Sequence, residues 1–181
     1  MKKWMTTMAL AALLLAPTAA RAQKVNVDFD EQAPFATYKT FGWTAGTPSP
    51  NPLGEPRIHA AVEAALMKEG LTLATGTPDV VIATHVMAKE QKEIVTSGYG
   101  GYGPGWHYGG YYGGGGLSTT QVYTYTEGTL VVDMYDAKTK QVAWRGVGVD
   151  TVSDKGDKNQ KKVVKAVDKM FKEYPPVIKK K

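Results

Sequence analysis

The chain has 181 residues, of which 43% are hydrophobic, a formal net charge of +5 at pH 7 and no cysteine. The absence of cysteine excludes disulfides, thiolate metal sites, cysteine nucleophiles and the acylated cysteine of a bacterial lipoprotein. Without Lys2, Lys3 and Arg21 the net charge falls to +2, and residues 179–181 form a basic tail. A body this close to neutral argues against a nucleic-acid-binding face.

Residues 1–22 have the build of a secretory signal peptide. Lys2 and Lys3 precede an uncharged apolar run, Met8–Ala16, and small residues lie just before the expected cut. The run is too short to span a bilayer, which takes about 20 residues. We expect cleavage of a Sec-type signal after Ala22, a periplasmic or secreted protein, and no transmembrane segment after cleavage.

The rest of the chain, residues 23–178, is predicted to form one domain. Apolar residues at positions 25, 27 and 29 alternate with polar ones and predict a half-buried first strand. The end of the stretch 35–43 is β-branched and aromatic and predicts a second strand. Residues 46–54 contain three prolines and predict a loop.

A helix is predicted next, with Pro56 in its first turn and Gly70 at its end. Its apolar stripe has helical spacing and comprises Ile58, Ala61, Val62, Ala65 and Leu66. The apolar run Val80–Met87 then predicts a strand in the middle of a sheet.

Residues 97–116 are rich in glycine and tyrosine, with eleven glycines between positions 98 and 116. Such a segment is too costly in backbone entropy to fold alone, so we predict a long mobile loop that joins two strands.

Two strands and a helix are predicted after this loop. A lead-in at 122–125 is followed by a strand with Leu130, Val132 and Met134 on one face, a turn at 136–140, and a strand with Val142 and Trp144 on one face. Val163, Ala166, Val167, Met170, Phe171 and Tyr174 mark the final helix, which Pro175 and Pro176 end. The predicted class is α+β: an antiparallel or mixed β-sheet with two amphipathic helices packed on one face.

Asp133 and Arg145 are predicted to be a structural pair across the last two strands. Setting Met134 opposite Trp144 gathers the apolar residues on one face and places Asp133 directly across from Arg145. A register one residue away mixes both faces. The alternative interpretation is functional: an anion-binding site built on Arg145.

Several segments together resemble a bacterial envelope family catalogued as domain of unknown function 4136. They are Asp28-Phe29-Asp30, Tyr38–Trp43, Pro78-Asp79-Val80, the Gly/Tyr-rich segment, Glu127–Asp133, Trp144-Arg145-Gly146 and Tyr174-Pro175-Pro176. The resemblance covers the length of the chain after the signal and implies an envelope location and this fold class. It implies no activity, and the missing lipoprotein cysteine departs from many relatives.

No motif assigns catalytic, cofactor-binding or metal-binding residues. Residues 98–103 fit G-x-G-x-x-G formally, but more glycine follows where a phosphate site needs a helix. His59, His85 and His107 fall on different predicted elements without metal-ligand spacing. No serine lies in a nucleophile elbow.

The leading hypothesis is a non-enzymatic envelope module that binds or scaffolds through its Gly/Tyr-rich loop. Aromatic rings on a flexible backbone can stack on sugars or adhere to other proteins. The predicted contact residues are Tyr99, Tyr102, Trp106, His107, Tyr108, Tyr111 and Tyr112. The partner would be an envelope protein or polymer rather than nucleic acid, and no cofactor is predicted. The alternative is a hydrolase or other enzyme acting on cell-envelope polymers.

Overall fold

The computed structural model describes residues 23–98 and 118–177. Its elements in chain order are β1 (Lys24–Phe29), β2 (Thr40–Trp43), α1 (Glu55–Lys68), β3 (Thr72–Leu73), β4 (Val80–Gly98), β5 (Ser118–Asp136), β6 (Val142–Thr151) and α2 (Gly156–Phe171). A single 3₁₀ turn at Phe35–Thr37 leads into β2.

Within the described residues, the strands form one mixed sheet in the order β1-β6-β5-β4-β2-β3. The pairs from β1 through β6 and β5 to β4 are antiparallel, and β2 runs parallel to both β4 and β3. Both helices pack on one face of the sheet, where Val62 of α1 and Val167 of α2 share a core cluster with Val132 of β5. The predicted α+β class is therefore confirmed, with a mixed sheet.

The first half of the chain forms its elements where the apolar pattern predicted them. In β1, Val25 and Phe29 pack against the core. In α1 the buried residues are Ile58, Val62, Ala65 and Leu66. Gly70 follows α1 with a φ of +87°, the left-handed conformation that favours glycine at a helix end.

The second helix begins and ends earlier than its apolar stripe predicted. α2 begins at Gly156, because its first turns carry polar and charged residues that add no apolar periodicity. It ends at Phe171, so Tyr174 lies beyond it, buried edge-on against Trp144 at 6.1 Å between ring centroids. None of the helices that the structure describes is long and apolar enough to cross a membrane.

β4 and β5 are much longer than predicted. β4 continues past Met87 to Gly98, two residues into the predicted loop, and the expected lead-in at 122–125 is an integral part of β5. Residues 88–93 are mostly charged or amide-bearing on both faces, so they show no apolar alternation. Pairing with β5, rather than burial, makes them a strand.

β5 and β6 pair with Met134 opposite Trp144 and Asp133 opposite Arg145, the register that the apolar faces predicted. A bulge after Met134 then pairs Tyr135 with Val142. As a result Ala143 is buried, whereas Val142 is 38% exposed. The prediction that Val142 shares the buried face of Trp144 is wrong, because a bulge shifts the alternation by one residue.

Candidate functional site

β4 and β5 project together beyond the rest of the sheet. Each has 19 residues and the two pair along their whole length. β6 accompanies β5 only as far as Glu127, and on the other side the last bridge to β4 joins Thr47 to His85. Residues 88–98 and 118–126 are called the ribbon below. At about 3.3 Å per residue, the ribbon is about 35 Å long.

The ribbon exposes apolar side chains to solvent. Ile94 and Val122 lie opposite each other and are 67% and 58% exposed, and Tyr123 is 52% exposed. A two-stranded hairpin is at best marginally stable in water without a partner. Exposed apolar residues on such an element are typical of a contact surface.

The predicted contact residues Tyr99, Tyr102, Trp106, His107, Tyr108, Tyr111 and Tyr112 lie outside the described residues. The segment 99–117 joins Gly98 of β4 to Ser118 of β5. Chain connectivity thus attaches it at the end of the ribbon that is farthest from the helices.

Asp133 and Arg145 form a bidentate ion pair on the sheet face opposite the helices. Arg145 Nε lies 2.6 Å from Asp133 Oδ1, and Nη2 lies 2.7 Å from Oδ2. The Asp133 side chain is only 1% exposed, whereas that of Arg145 is 49% exposed. These hydrogen bonds and the opposite charge raise the pKa of Arg145 above its ordinary value. The role of the pair stays a prediction.

Two further side chains enclose the Asp133 carboxylate. His85 Nε2 lies 3.6 Å from Oδ2, and the Tyr135 hydroxyl lies 3.5 Å from the same oxygen. Burial, and then the Asp133 charge, raise the pKa of Tyr135. His85 Nδ1 accepts a hydrogen bond from the Thr47 N–H at 3.1 Å. Nδ1 of His85 is therefore hydrogen-bonded, whereas Nε2 faces the Asp133 carboxylate at a distance longer than a hydrogen bond.

Sequence reasoning treated His85 as an isolated strand residue and missed this contact. The β4–β5 register places Ala83 opposite Asp133 and His85 opposite Val131. His85 thus reaches Asp133 diagonally on one face. Both positions have odd numbers, and this could have indicated that they share a face of the sheet. Using that signal requires the β4–β5 register, which cannot be read across the long connection between the two strands.

Two other carboxylates are fixed by hydrogen bonds near the end of the sheet. Asp136 accepts from the Tyr38 hydroxyl at 2.9 Å and from two N–H groups of the following turn at 2.8 Å. Asp79 accepts from the N–H groups of Lys39 and Thr40 and from the Thr40 hydroxyl. These hydrogen bonds lower the pKa of both aspartates. Asp79 thereby links Lys39 and Thr40 to the start of β4, and Asp136 links Tyr38 to the end of β5.

A cavity of about 180 Å³ lies between the two helices and the sheet. Its apolar lining includes Ile58, Val86, Leu130, Val163 and Ala166. Two pairs of polar residues at its rim contact each other: Lys162 Nζ lies 3.0 Å from Asp150 Oδ1, and the Asn159 side chain hydrogen-bonds to the backbone of Ser153. Gln23 also lines the cavity, and its Oε1 is buried without a hydrogen-bond partner among the described residues. No local motif predicts the cavity, because its walls come from distant segments.

The histidines do not assemble a metal site in the described ranges, where no group of three or more suitable ligands occurs. His59 stacks on Trp43 with ring centroids 4.1 Å apart, and its Nε2 lies 3.2 Å from Glu55 Oε1. His107 lies outside the described residues.

The fold and these sites define a class: an α+β protein with one mixed sheet, two helices on one face and a projecting ribbon. The chain belongs to the family described as domain of unknown function (DUF4136), which matches residues 25–176. The resemblance found in the sequence is therefore confirmed. Among curated proteins, none matches this chain significantly.

Solved structures similar to this chain include a PDZ domain protein from Parabacteroides distasonis. It is 17% identical with a TM-score of 0.53, and the match covers 86% of this chain and 36% of that one. The PelC dodecamer from Paraburkholderia phytofirmans is 13% identical with a TM-score of 0.46, covering 81% and 96% of the two chains. A minor lipoprotein from Acinetobacter baumannii is 10% identical with a TM-score of 0.38, covering 75% and 91%. The first likeness shows the fold alone.

Proposed function

We propose that this chain is an exported, non-enzymatic envelope protein that binds or scaffolds, and that the segment 99–116 is its contact element. Export would use the cleaved signal peptide at residues 1–22, which leaves the protein in the periplasm or the medium. Its partner would be an envelope protein or polymer.

The observation that carries this proposal is the ribbon. Strands that extend past the ends of the other strands in a sheet bury little apolar surface. Ordering them costs conformational entropy and adds nothing to the core. Here the two strands remain paired to Gly98 and Ser118, and the aromatic-rich segment is attached there. A projecting, paired support for aromatic side chains suits contact with a sugar face or a protein surface.

The Asp133 cluster favours this role over the hydrolase alternative. A general acid or base must present an atom to the substrate at hydrogen-bonding distance. Asp133 is buried beneath Arg145, and both nitrogens of His85 already have neighbours. The cluster is arranged as a support for the sheet rather than as an open catalytic pair.

The test is crosslinking in intact cells followed by purification of the tagged protein. One variant replaces the seven aromatic and histidine contact residues with serine and keeps every glycine. The control variant replaces Leu53 and Met67, which are 72% and 52% exposed but lie outside the ribbon, with serine. The proposal predicts that only the first variant loses the crosslinked partner.

Equal recovery of the partner by both variants would exclude the segment as contact element. A parallel assay incubates the purified protein with isolated envelope polymers. Release of soluble fragments would establish the hydrolase alternative and overturn a non-enzymatic role.

A further inference from the structure

Within the part of the chain that the structure describes, one edge of the ribbon has a row of backbone groups with no neighbouring strand. On the side of β4 away from β5, the Ile82 carbonyl accepts from the Thr44 N–H and the Val86 N–H donates to the Thr47 carbonyl. Successive residues of a strand alternate direction, so even-numbered residues of β4 direct their N–H and C=O groups to this side. Beyond Val86, no described strand lies beside them. An edge of this kind is a template for a further strand.

The charges along this edge are self-complementary, because two copies of the edge can set opposite charges against each other. Residues 89–93 read Lys-Glu-Gln-Lys-Glu. If a second copy runs antiparallel with its Gln91 opposite Gln91, Glu90 faces Lys92 of the second copy and Lys89 faces Glu93 of the second copy. Two-fold symmetry repeats each opposition. Opposite charges directly across a strand pair are stabilising.

Neighbouring registers lose this match. Centring the pair on Glu90 sets Ala88 against Lys92, and centring it on Lys92 sets Glu90 against Ile94. Centring the pair between Gln91 and Lys92 sets Glu90 against Glu93. It also places residues whose N–H and C=O groups point toward the second copy opposite residues whose groups point back toward β5. Only the register on Gln91 combines opposite charges with the correct hydrogen-bond alternation.

The same register also brings exposed apolar side chains together. It sets Ala88 against Ile94 and Met87 against Val95 of the second copy. In the single chain Ile94, Met87 and Val95 are 67%, 53% and 40% exposed. The pairing ends at Met87, where Thr47 takes over the edge through its contacts with His85 and Val86.

We propose that two copies of this chain pair edge to edge through residues 87–95 of β4, centred on Gln91, so that their sheets join across a two-fold axis. Charged residues on an edge ordinarily prevent such pairing. Here their alternating signs select one partner and one register instead. This self-association does not depend on the contact role of the segment 99–116.

The test measures the mass of the exported, purified protein by sedimentation equilibrium. The wild type is expected to be a dimer. Glu90→Lys alone or Lys92→Glu alone places like charges together twice and should raise the dissociation constant by about tenfold or more. Glu90→Lys combined with Lys92→Glu restores opposite charges and should restore the dimer. Within one chain these residues lie opposite Thr126 and Thr124, which are neutral, so neither single variant places like charges directly across the hairpin.

Met67→Lys is the control, because it adds a charge at an exposed position of α1, outside the ribbon. Circular dichroism checks that every variant is folded. A monomeric wild type at sub-millimolar concentration would overturn the proposal. So would a double variant that dimerises no better than the single ones, or a Met67→Lys variant that dissociates to the same extent.

Discussion

At the residue scale, burial changes the energetic weight of the Asp133–Arg145 pair. A cross-strand ion pair on an open sheet face contributes about 0.2–1 kcal/mol, which is what the sequence led us to expect. Asp133 is instead fully buried while Arg145 is half exposed. Removing the guanidinium would therefore leave a buried carboxylate without its cation, which costs more than the pair itself contributes.

We predict an asymmetric double-mutant cycle for this pair. Arg145→Gln should lower the free energy of unfolding by about 2–4 kcal/mol because the buried charge loses its partner. Asp133→Asn should cost less, about 1–2 kcal/mol, because the amide can keep one hydrogen bond. The double variant should cost less than the sum of the two. Urea denaturation measures all three.

Additive costs in this cycle would show that the two residues do not interact. A double variant that folds normally but loses cellular function would instead favour the anion site on Arg145.

The aspartates at the end of the sheet predict a dependence of stability on pH. The pKa values of Asp79 and Asp136 are lowered by hydrogen bonds in the folded protein. Their stabilisation is thus present above the unfolded aspartate pKa, about 3.9, and is lost as the pH falls through it toward the lower folded values. Asp136→Asn should flatten this fall in urea denaturation between pH 6 and pH 3, and an unchanged profile would remove Asp136 as a contributor.

At the element scale, the packing of α2 depends on a glycine in β6. A Cβ added at Gly146 would lie 2.7 Å from Trp144 Cη2 and 2.9 Å from Met170 Sδ. Both neighbours are almost completely buried, so they have little room to move. The absence of side chains at Gly146 and at Gly148, where a Cβ would lie 2.8 Å from Met170 Cε, lets α2 approach the sheet.

We predict that Gly146→Ala lowers the free energy of unfolding by about 1–3 kcal/mol through overpacking. Gly76→Ala is the control, because a Cβ at Gly76 meets nothing within 4 Å and its φ is not positive. It should change stability by about 0.5 kcal/mol or less. If Gly146→Ala and Gly76→Ala changed the stability equally in thermal denaturation, the packing of α2 would not depend on Gly146.

The segment 99–116, which is attached at the end of the ribbon, should be dispensable for stability. We predict that a short Gly/Ser linker in place of residues 99–116 shifts the melting temperature by only a few degrees, about 1 kcal/mol or less. The core cluster of the described residues is formed by other elements, and changes in loop length cost little closure entropy. Calorimetry tests this, and a collapse of folding would place the tyrosines of the segment in the core.

At the scale of the whole molecule, export predicts a defined new N-terminus. Cleavage after Ala22 would begin the protein at Gln23, whose amide donates a 2.8 Å hydrogen bond to the Lys162 carbonyl of α2. The first strand begins one residue later. Mass spectrometry of the periplasmic or secreted fraction should therefore find chains that start at Gln23, whereas an uncut chain in the membrane pellet would contradict export by cleavage.

Much of the architecture was predictable from local pattern. Alternation in β1, the stripe of α1 and the apolar face shared by Met134 and Trp144 each depend on neighbours within a few residues or across one turn. The Asp133–Arg145 pairing followed from the same logic, because a slip of one residue would have mixed both faces. These features come from burial and periodicity, which a sequence carries directly.

Tertiary structure decided the rest. The extension of β4 to Gly98 arises from pairing with a strand that follows a long connection, and its polar residues carry no periodic signal. The bulge that buries Ala143 and exposes Val142 adds one residue without any local mark. The contact between His85 and Asp133 depends on the β4–β5 register. In each case the determining partner is remote in the chain, so only the folded sheet could select it.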